Sequence, residues 1–227
     1  MSTAAPRPAA RKLAAPGRKP GVRELAAQET QDSILRAATR IFAKHGFSGG
    51  RIDQISKAAK SHDRMIYYYF GSKEQLYVEV LEKLYGDIRR TEGLLQLAEL
   101  EPREALQRLV EFTFDHHDRN VDFVRIVCIE NIHNGENVKQ SSAIRSMSHN
   151  VLHLLDETLR RGEASGVFRQ GLQALDVHLL MSSFCFYRVS NRHTFSHIFQ
   201  IDLADDAALK AHHKQVICES VLRYLQA

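Results

Sequence analysis

Cysteine is scarce in this 227-residue chain: Cys128, Cys185 and Cys218 are odd in number, far apart and set among apolar residues. That excludes a disulfide framework and fits buried thiols in a reducing compartment. No apolar run approaches the roughly 18 residues of a membrane span. The N-terminus also lacks the continuous apolar core of a secretion signal. Proline and glycine become rare after Gly50, and alternating patterns are sparse. Apolar residues recur three and four apart instead, which predicts an all-α protein of about nine helices. Enzyme signatures are missing as well. The chain has no Gly-x-Ser-x-Gly elbow, no phosphate-cradling glycine-rich loop and no His-Glu-x-x-His. Scattered Ser, His and Asp residues do not make a triad, so no catalytic residue is assigned, no cofactor is expected and the chain is read as a non-enzyme.

Charge is present but unevenly spread. Residues 1–75 hold 14 Lys/Arg against 6 Asp/Glu, whereas residues 76–227 hold 17 against 21. A basic N-terminal part on a mildly acidic body suggests a segment that meets a polyanion. Residues 1–23 carry six basic residues, no acidic ones and four of the five prolines. Such a segment cannot bury enough apolar area to offset its ordering entropy, so residues 1–27 are expected to form a disordered basic arm. It is either a solvated tail or an arm that adds phosphate or minor-groove contacts.

Helical periodicity organises the rest. Ile34, Leu35, Ala38, Ile41 and Phe42 mark one face of a helix from Gln28 to Lys44, with Gly46 as its C-cap and Phe47 folded back beneath it. A short helix bearing Ile52, Ile55 and Ala59 follows, then a turn around Lys60–His62. A third short helix runs through Met65, Ile66, Tyr69 and Phe70, and Ser72 restarts a longer one. Beyond Pro102, helices are expected near 103–115, 121–133, 140–164, 174–199 and 206–225.

Two short helices joined by a tight turn form the helix-turn-helix unit, whose second helix can enter the DNA major groove. Ile55, Ala59 and Ile66 can hold the two helices together, while Asp63, Arg64, Tyr67 and Tyr68 face outward amid Arg51, Lys57, Lys60 and Lys73. A tyrosine ring can pack on sugar or a thymine methyl, and its hydroxyl can bond phosphate. Tyr69 and Phe70 are assigned to the small domain's own core. The alternative treats the whole Tyr67–Phe70 cluster as core or as the binding face of a helical protein–protein adaptor.

The segments "ILRAATRIFAKHGF", "RIDQISKAAK" and "IYYYFGSKEQLYVEVL" give residues 30–81 their resemblance to the DNA-binding domain of the TetR family of bacterial transcriptional regulators. The resemblance implies a phosphate contact for Arg51, base-edge contacts for Arg64 and Met65, backbone and base contacts for Tyr67 and Tyr68, and a phosphate contact for Lys73. One departure concerns the turn, where the family usually has glycine-valine-serine and this chain has Lys60-Ser61-His62. A left-handed lysine costs about 1 kcal/mol relative to glycine. Either the turn geometry differs, or Lys60 is retained for a phosphate contact.

The domain reading is then residues 28–75 for DNA and residues 76–227 for effector binding and dimerisation. The resemblance implies a homodimer through helices near 174–199 and 206–225, bound to a palindromic double-stranded operator. The last helix carries a matching apolar stripe of Val216, Ile217, Val221 and Tyr224. It also implies a small-molecule effector that releases a repressor, within the cytoplasm and nucleoid of a bacterium and without a membrane. Candidate effector residues are Phe123, Val127 and Glu130 on one helix and Phe184, Arg188, Asn191 and His193 on another. Arg188 within an apolar stripe must find an anion. That anion is an internal carboxylate such as Glu130, or an anionic effector such as a small aromatic carboxylate. The segments "VDFVRIVCIENIH" and "FCFYRVSNRHTF" resemble family members that control catabolism of nitrogen-containing or aromatic compounds. His149/His153 and His193/His197 have the i, i+4 spacing of metal ligands, which leaves a metal-responsive regulator as an alternative; no cysteine or carboxylate clusters with either pair, and no metal site is assigned.

Overall fold

The structure is a computed structural model that describes residues 21–226. Ten α-helices make up the described chain, in two compact units, one through Val80 and one from Leu81.

In the first unit, helix α1 spans Val22–Gly49, α2 Ile52–Ala58 and α3 Asp63–Phe70. Helix α1 starts at Val22, inside the stretch expected to be a disordered arm. Glu24, Leu25, Ala26 and Ala27 are good helix formers, so the helix runs on beyond its last buried side chain, with Glu24 accepting the Gly21 N–H at 2.8 Å. The rest of the expected arm, residues 1–20, lies outside the described residues. Ile34, Ala37, Ala38, Phe42 and Ala43 give α1 its buried face. At Gly46 (φ 71°, ψ 177°) the helix breaks, and the chain behind it returns Phe47 to the core. There Phe42 and Phe47 both meet Tyr77 edge-on, at 4.9 and 5.2 Å between centroids.

Helix α4, Lys73–Gly93, begins under a Ser72 cap whose hydroxyl accepts the Gln75 N–H at 3.1 Å. The second unit continues with α5 (Pro102–Arg119), α6 (Val121–Ile132), α7 (Ser142–Ala164), α8 (Ala174–Ser190), α9 (Arg192–Phe199) and α10 (Ala207–Leu225). Short 3-10 turns occupy Leu97–Glu99 and Val138–Gln140. Proline at the first position of α5 costs nothing there, because that N–H has no intrahelical partner. Ser141 and Asp206 cap α7 and α10 through the N–H groups of Ile144 and Leu209. The core joins Leu106, Leu109 and Phe114 of α5 to Leu155 and Leu159 of α7, Val177, Met181 and Cys185 of α8, and Val221 and Leu225 of α10.

The single helix expected over 174–199 is two. Its ladder ends at Ser190, and Asn191 (φ −103°, ψ 4°) caps α8 and opens α9. Asn191 also donates its side-chain amide to Ser190 Oγ at 2.8 Å, a local bond that competes with continuing the helix. All three cysteines are free. Burial pushes the Cys185 thiol up to about 12 and the Cys218 thiol up to about 11.

Candidate functional site

The turn between α2 and α3 is closed by two backbone bonds. Ser61 N–H reaches Ser56 O at 2.9 Å and Lys60 N–H reaches Lys57 O at 3.2 Å. This 6→1 and 5→2 pair is a Schellman motif, and it places its C′ residue in the left-handed region. That residue is Lys60, with φ 52°. The turn therefore keeps the geometry a glycine would favour while carrying an exposed ammonium.

Ser56 also donates its hydroxyl to the Asp63 carboxylate, which clamps the start of α3 onto α2. Asp63 was expected to face DNA; its side chain is instead committed to this clamp at the edge of that face. Ile66 and Phe70 are buried, Met65 and Tyr69 half-buried. Arg64 is exposed, and Tyr67 and Tyr68 are 52% and 77% exposed. Two large aromatic residues left outside a small domain carry no burial benefit, so the outward face is available for a partner. Tyr68 stacks edge-on to Tyr69 at 5.1 Å, which steadies its ring.

Cations flank α2 and α3 along the chain. Arg51, just before α2, donates to Asp53 from Nε at 2.9 Å and Nη2 at 3.0 Å. That hydrogen bond from Arg51 holds the Asp53 carboxyl below its ordinary value. Lys73 sits 4.8 Å over the Phe47 ring, within 3.4 Å of Ser48 O. His62, which the sequence reading did not select, joins Arg64 in lining an open hollow of about 380 Å3. Its position immediately before α3 was the available signal.

The second unit contains a smaller, half-open cavity of about 130 Å3. Phe123 and Val127, two of the expected effector residues, line it together with Tyr85, Phe186 and Ser182. Its polar wall comes from residues the sequence reading missed: Arg89 and Glu92 on α4, Thr113 and His117 on α5, and His178 on α8. Arg89 and Glu92 are paired one helical turn apart. Burial outweighs that pairing and raises the Glu92 carboxyl above its ordinary value. Arg89 Nε and His178 Nδ1 are buried without a hydrogen-bond partner among the described residues. Burial lowers the pKa of His117 and His178, and takes neighbouring His116 down to about 4. His117 Nδ1 lies 2.6 Å from Thr113 O. A carbonyl only accepts, so Nδ1 carries the proton and the neutral ring keeps its lone pair on Nε2.

The other expected effector residues lie elsewhere. Glu130 is buried, but it accepts from Asn137 N, Asn137 Nδ2 and Val138 N at 3.2, 2.9 and 3.1 Å, fixing the turn after α6. It does not meet Arg188, as the internal-pair expectation had it. Arg188 donates to Asp118 at 2.8 Å and to Leu203 O at 2.8 Å, and lies over the Phe114 ring. Phe184 is exposed, Asn191 belongs to the α8–α9 junction and His193 is exposed on α9. Phe184 and Arg188 line an apolar groove of about 490 Å3 with Tyr187, Phe195, Leu203 and Val216. On α10, Val216 and Tyr224 of the expected stripe point outward, while Ile217 and Val221 are core.

Among the described residues no three His, Cys, Asp or Glu side chains converge as a metal site, and no helix is long and apolar enough to cross a membrane. His153 faces Glu157 at 3.7 Å on the surface of α7.

Residues 34–80 match the family model described as bacterial regulatory proteins of the tetR family, and residues 102–221 match the tetracyclin repressor-like C-terminal domain. The chain is 43% identical over 209 residues to the HTH-type transcriptional repressor NicS of Pseudomonas putida, covering 92% of this chain and 98% of that protein. It is 27% identical to the HTH-type transcriptional repressor SCO4008 of Streptomyces coelicolor, over 68% of this chain and 75% of that one. Among solved structures, the fatty acid degradation regulator FadR of Bacillus halodurans superposes with a TM-score of 0.65 at 24% identity, over 88% and 97% of the two chains. FadR of Bacillus subtilis, in complex with stearoyl-CoA, superposes at 0.66 with 19% identity, over 86% and 99%. These likenesses carry the fold, and the two family models with the 43% identical repressor carry the assignment. The chain belongs to the TetR family of bacterial transcriptional regulators.

Proposed function

We propose that the protein is a cytoplasmic, nucleoid-associated transcriptional repressor that binds a palindromic operator as a homodimer and leaves it when a small-molecule effector binds. The observation that carries the reading is the exposed face of α3. Arg64, Tyr67 and Tyr68 stand outward from a helix whose Ile66 and Phe70 are buried and whose start is clamped by Ser56. Arg64 and half-buried Met65 read base edges, Tyr67 and Tyr68 meet backbone and bases, and Arg51, Lys60 and Lys73 neutralise phosphates. Asp63 contributes by orienting α3. Residues 28–75 serve as the DNA-reading head, and those from 76 onward as the effector-binding and dimerisation part.

The groove on α8 and α10 supports the dimer. Phe184, Tyr187 and Val216 are all exposed there, an apolar area that a monomer would leave in water. A second copy related by a two-fold axis buries it and supplies the second α3 that a palindrome requires. Effector release follows from linkage: the ligand must bind the DNA-incompetent state more tightly than the competent one.

Footprinting on DNA flanking the chain's own gene tests this. A protected inverted repeat, bound by two copies, supports the reading; a protein that stays monomeric at micromolar concentration and shifts no DNA contradicts it.

A further inference from the structure

The effector-responsive reading leaves the ligand's chemistry open, and the cavity lined by α4, α5, α6 and α8 restricts it. At about 130 Å3 it holds the liquid volume of about four waters, which suits one small ring with a substituent and excludes a long acyl chain. Tyr85, Phe123 and Phe186 supply aromatic walls.

Two polar features narrow the choice. Arg89 has five N–H donors, but Glu92 is its paired carboxylate and Nε is buried with no acceptor. A half-buried guanidinium whose Nε is cut off from water is costly until an acceptor meets that edge, and a planar carboxylate can take it with two parallel bonds. Neutral His117, with Nδ1 committed to Thr113 O, offers a lone pair on Nε2 and so receives a ligand N–H or O–H. The remaining ionisable groups on the lining are Tyr85 and His178.

We infer that the cavity takes a small aromatic or heteroaromatic monoanion whose carboxylate sits on the open edge of Arg89 and whose ring N–H or O–H is received by His117. Resting on the effector reading above, it adds the ligand class and the residues that select it. Arg188, engaged by Asp118 in another part of the unit, takes no part. Glu92, which lines the same cavity and is paired with Arg89 through Nη1, competes electrostatically with the incoming anion. It thereby sets an affinity ceiling that a neutral side chain lifts.

Isothermal titration calorimetry of the full chain with benzoate, 3-hydroxybenzoate, 4-hydroxybenzoate and benzamide tests the inference. Saturable binding of at least one hydroxybenzoate below about 1 mM is expected, tighter than benzoate by tenfold or so. Benzamide is expected to bind at least tenfold more weakly than benzoate. Arg89→Gln should abolish the preference for acid over amide, Arg89→Lys should retain part of it, and Glu92→Gln should tighten the acids several-fold. His117→Phe should remove the gain from the hydroxyl and leave benzoate affinity within threefold. Benzamide binding as well as benzoate, or an unchanged acid preference in Arg89→Gln, overturns the inference, as does no saturable binding of any acid. If Arg89→Gln does not fold, the Glu92→Gln and amide comparisons decide alone. DNA binding of the ligand-free chain, measured alongside, separates the two readings. A variant that binds DNA normally but has lost the acid preference speaks only to the cavity, whereas a wild-type chain that binds no DNA speaks only to the regulator reading.

Discussion

The Arg188 guanidinium donates to the Asp118 carboxylate at 2.8 Å, tying α8 to α5 across 70 residues of sequence. Lys210 of α10 reaches the other oxygen of the same carboxylate. Burial alone would raise the Asp118 carboxyl, but the hydrogen bonds and charges of Lys210 and Arg188 hold it below its ordinary value. One half-buried carboxylate thus joins three helices, two of which border the apolar groove.

Removing one partner of such a cluster leaves the other charge poorly compensated. Arg188→Ala is expected to destabilise the fold by about 2–3 kcal/mol, moderated by Lys210, without changing effector affinity in the Arg89 cavity. Urea unfolding measures the first and calorimetry the second. A stability change below about 0.5 kcal/mol would mean that the pair is solvated in solution.

Lys60→Gly separates the turn's geometry from its charge. Glycine relieves the left-handed strain at φ 52°, so unfolding should shift by about 1 kcal/mol in favour of the fold. Losing one ammonium from each protomer should weaken DNA binding and flatten its salt dependence by close to two counterions per dimer. Raised DNA affinity in this variant would remove Lys60 from the phosphate contacts.

Acidification should weaken the second unit before it affects the carboxylates. Burial lowers His116, His117 and His178, so the unfolded chain takes up protons first as pH falls below about 6.5. Their contribution is complete above that value and is lost progressively as pH falls toward the folded values, about 4 for His116. The melting temperature should therefore drop between pH 7 and pH 5. His116→Phe, which removes a ring whose Nδ1 has no partner among the described residues, should reduce that drop. An unchanged melting temperature over this range would place these rings in water.

The helix-turn-helix was legible because its signals are short-range. Periodicity, the Ser72 cap and the Tyr67–Phe70 cluster all lie within one 25-residue stretch. Even the missing glycine was informative, since the backbone bonds from Lys60 and Ser61 require a left-handed C′ residue whatever its side chain. The cavity lined by α4, α5, α6 and α8 was not legible in the same way. Arg89, His117 and His178 come from three helices far apart in the chain, and no local spacing announces their meeting. Arg188 shows the limit from the other side: that it needed an anion followed from its apolar stripe, but which anion depended on helix packing. The break at Asn191 went unseen because neither glycine nor proline marks it.

On the proposed reading, the outer face of α3 meets DNA electrostatically and by base contact. Fluorescence anisotropy with the footprinted operator, repeated over a range of salt, tests it most directly for wild type, Arg64→Ala, Tyr68→Ala and Lys73→Ala. A steep salt slope is expected in the wild type, falling by about two in Lys73→Ala because each protomer of the dimer loses one phosphate contact. Affinity should fall about tenfold or more in Arg64→Ala and Tyr68→Ala, with melting temperatures unchanged and discrimination against mutated operators reduced in Arg64→Ala. Wild-type affinity and salt slope in all three variants would contradict it.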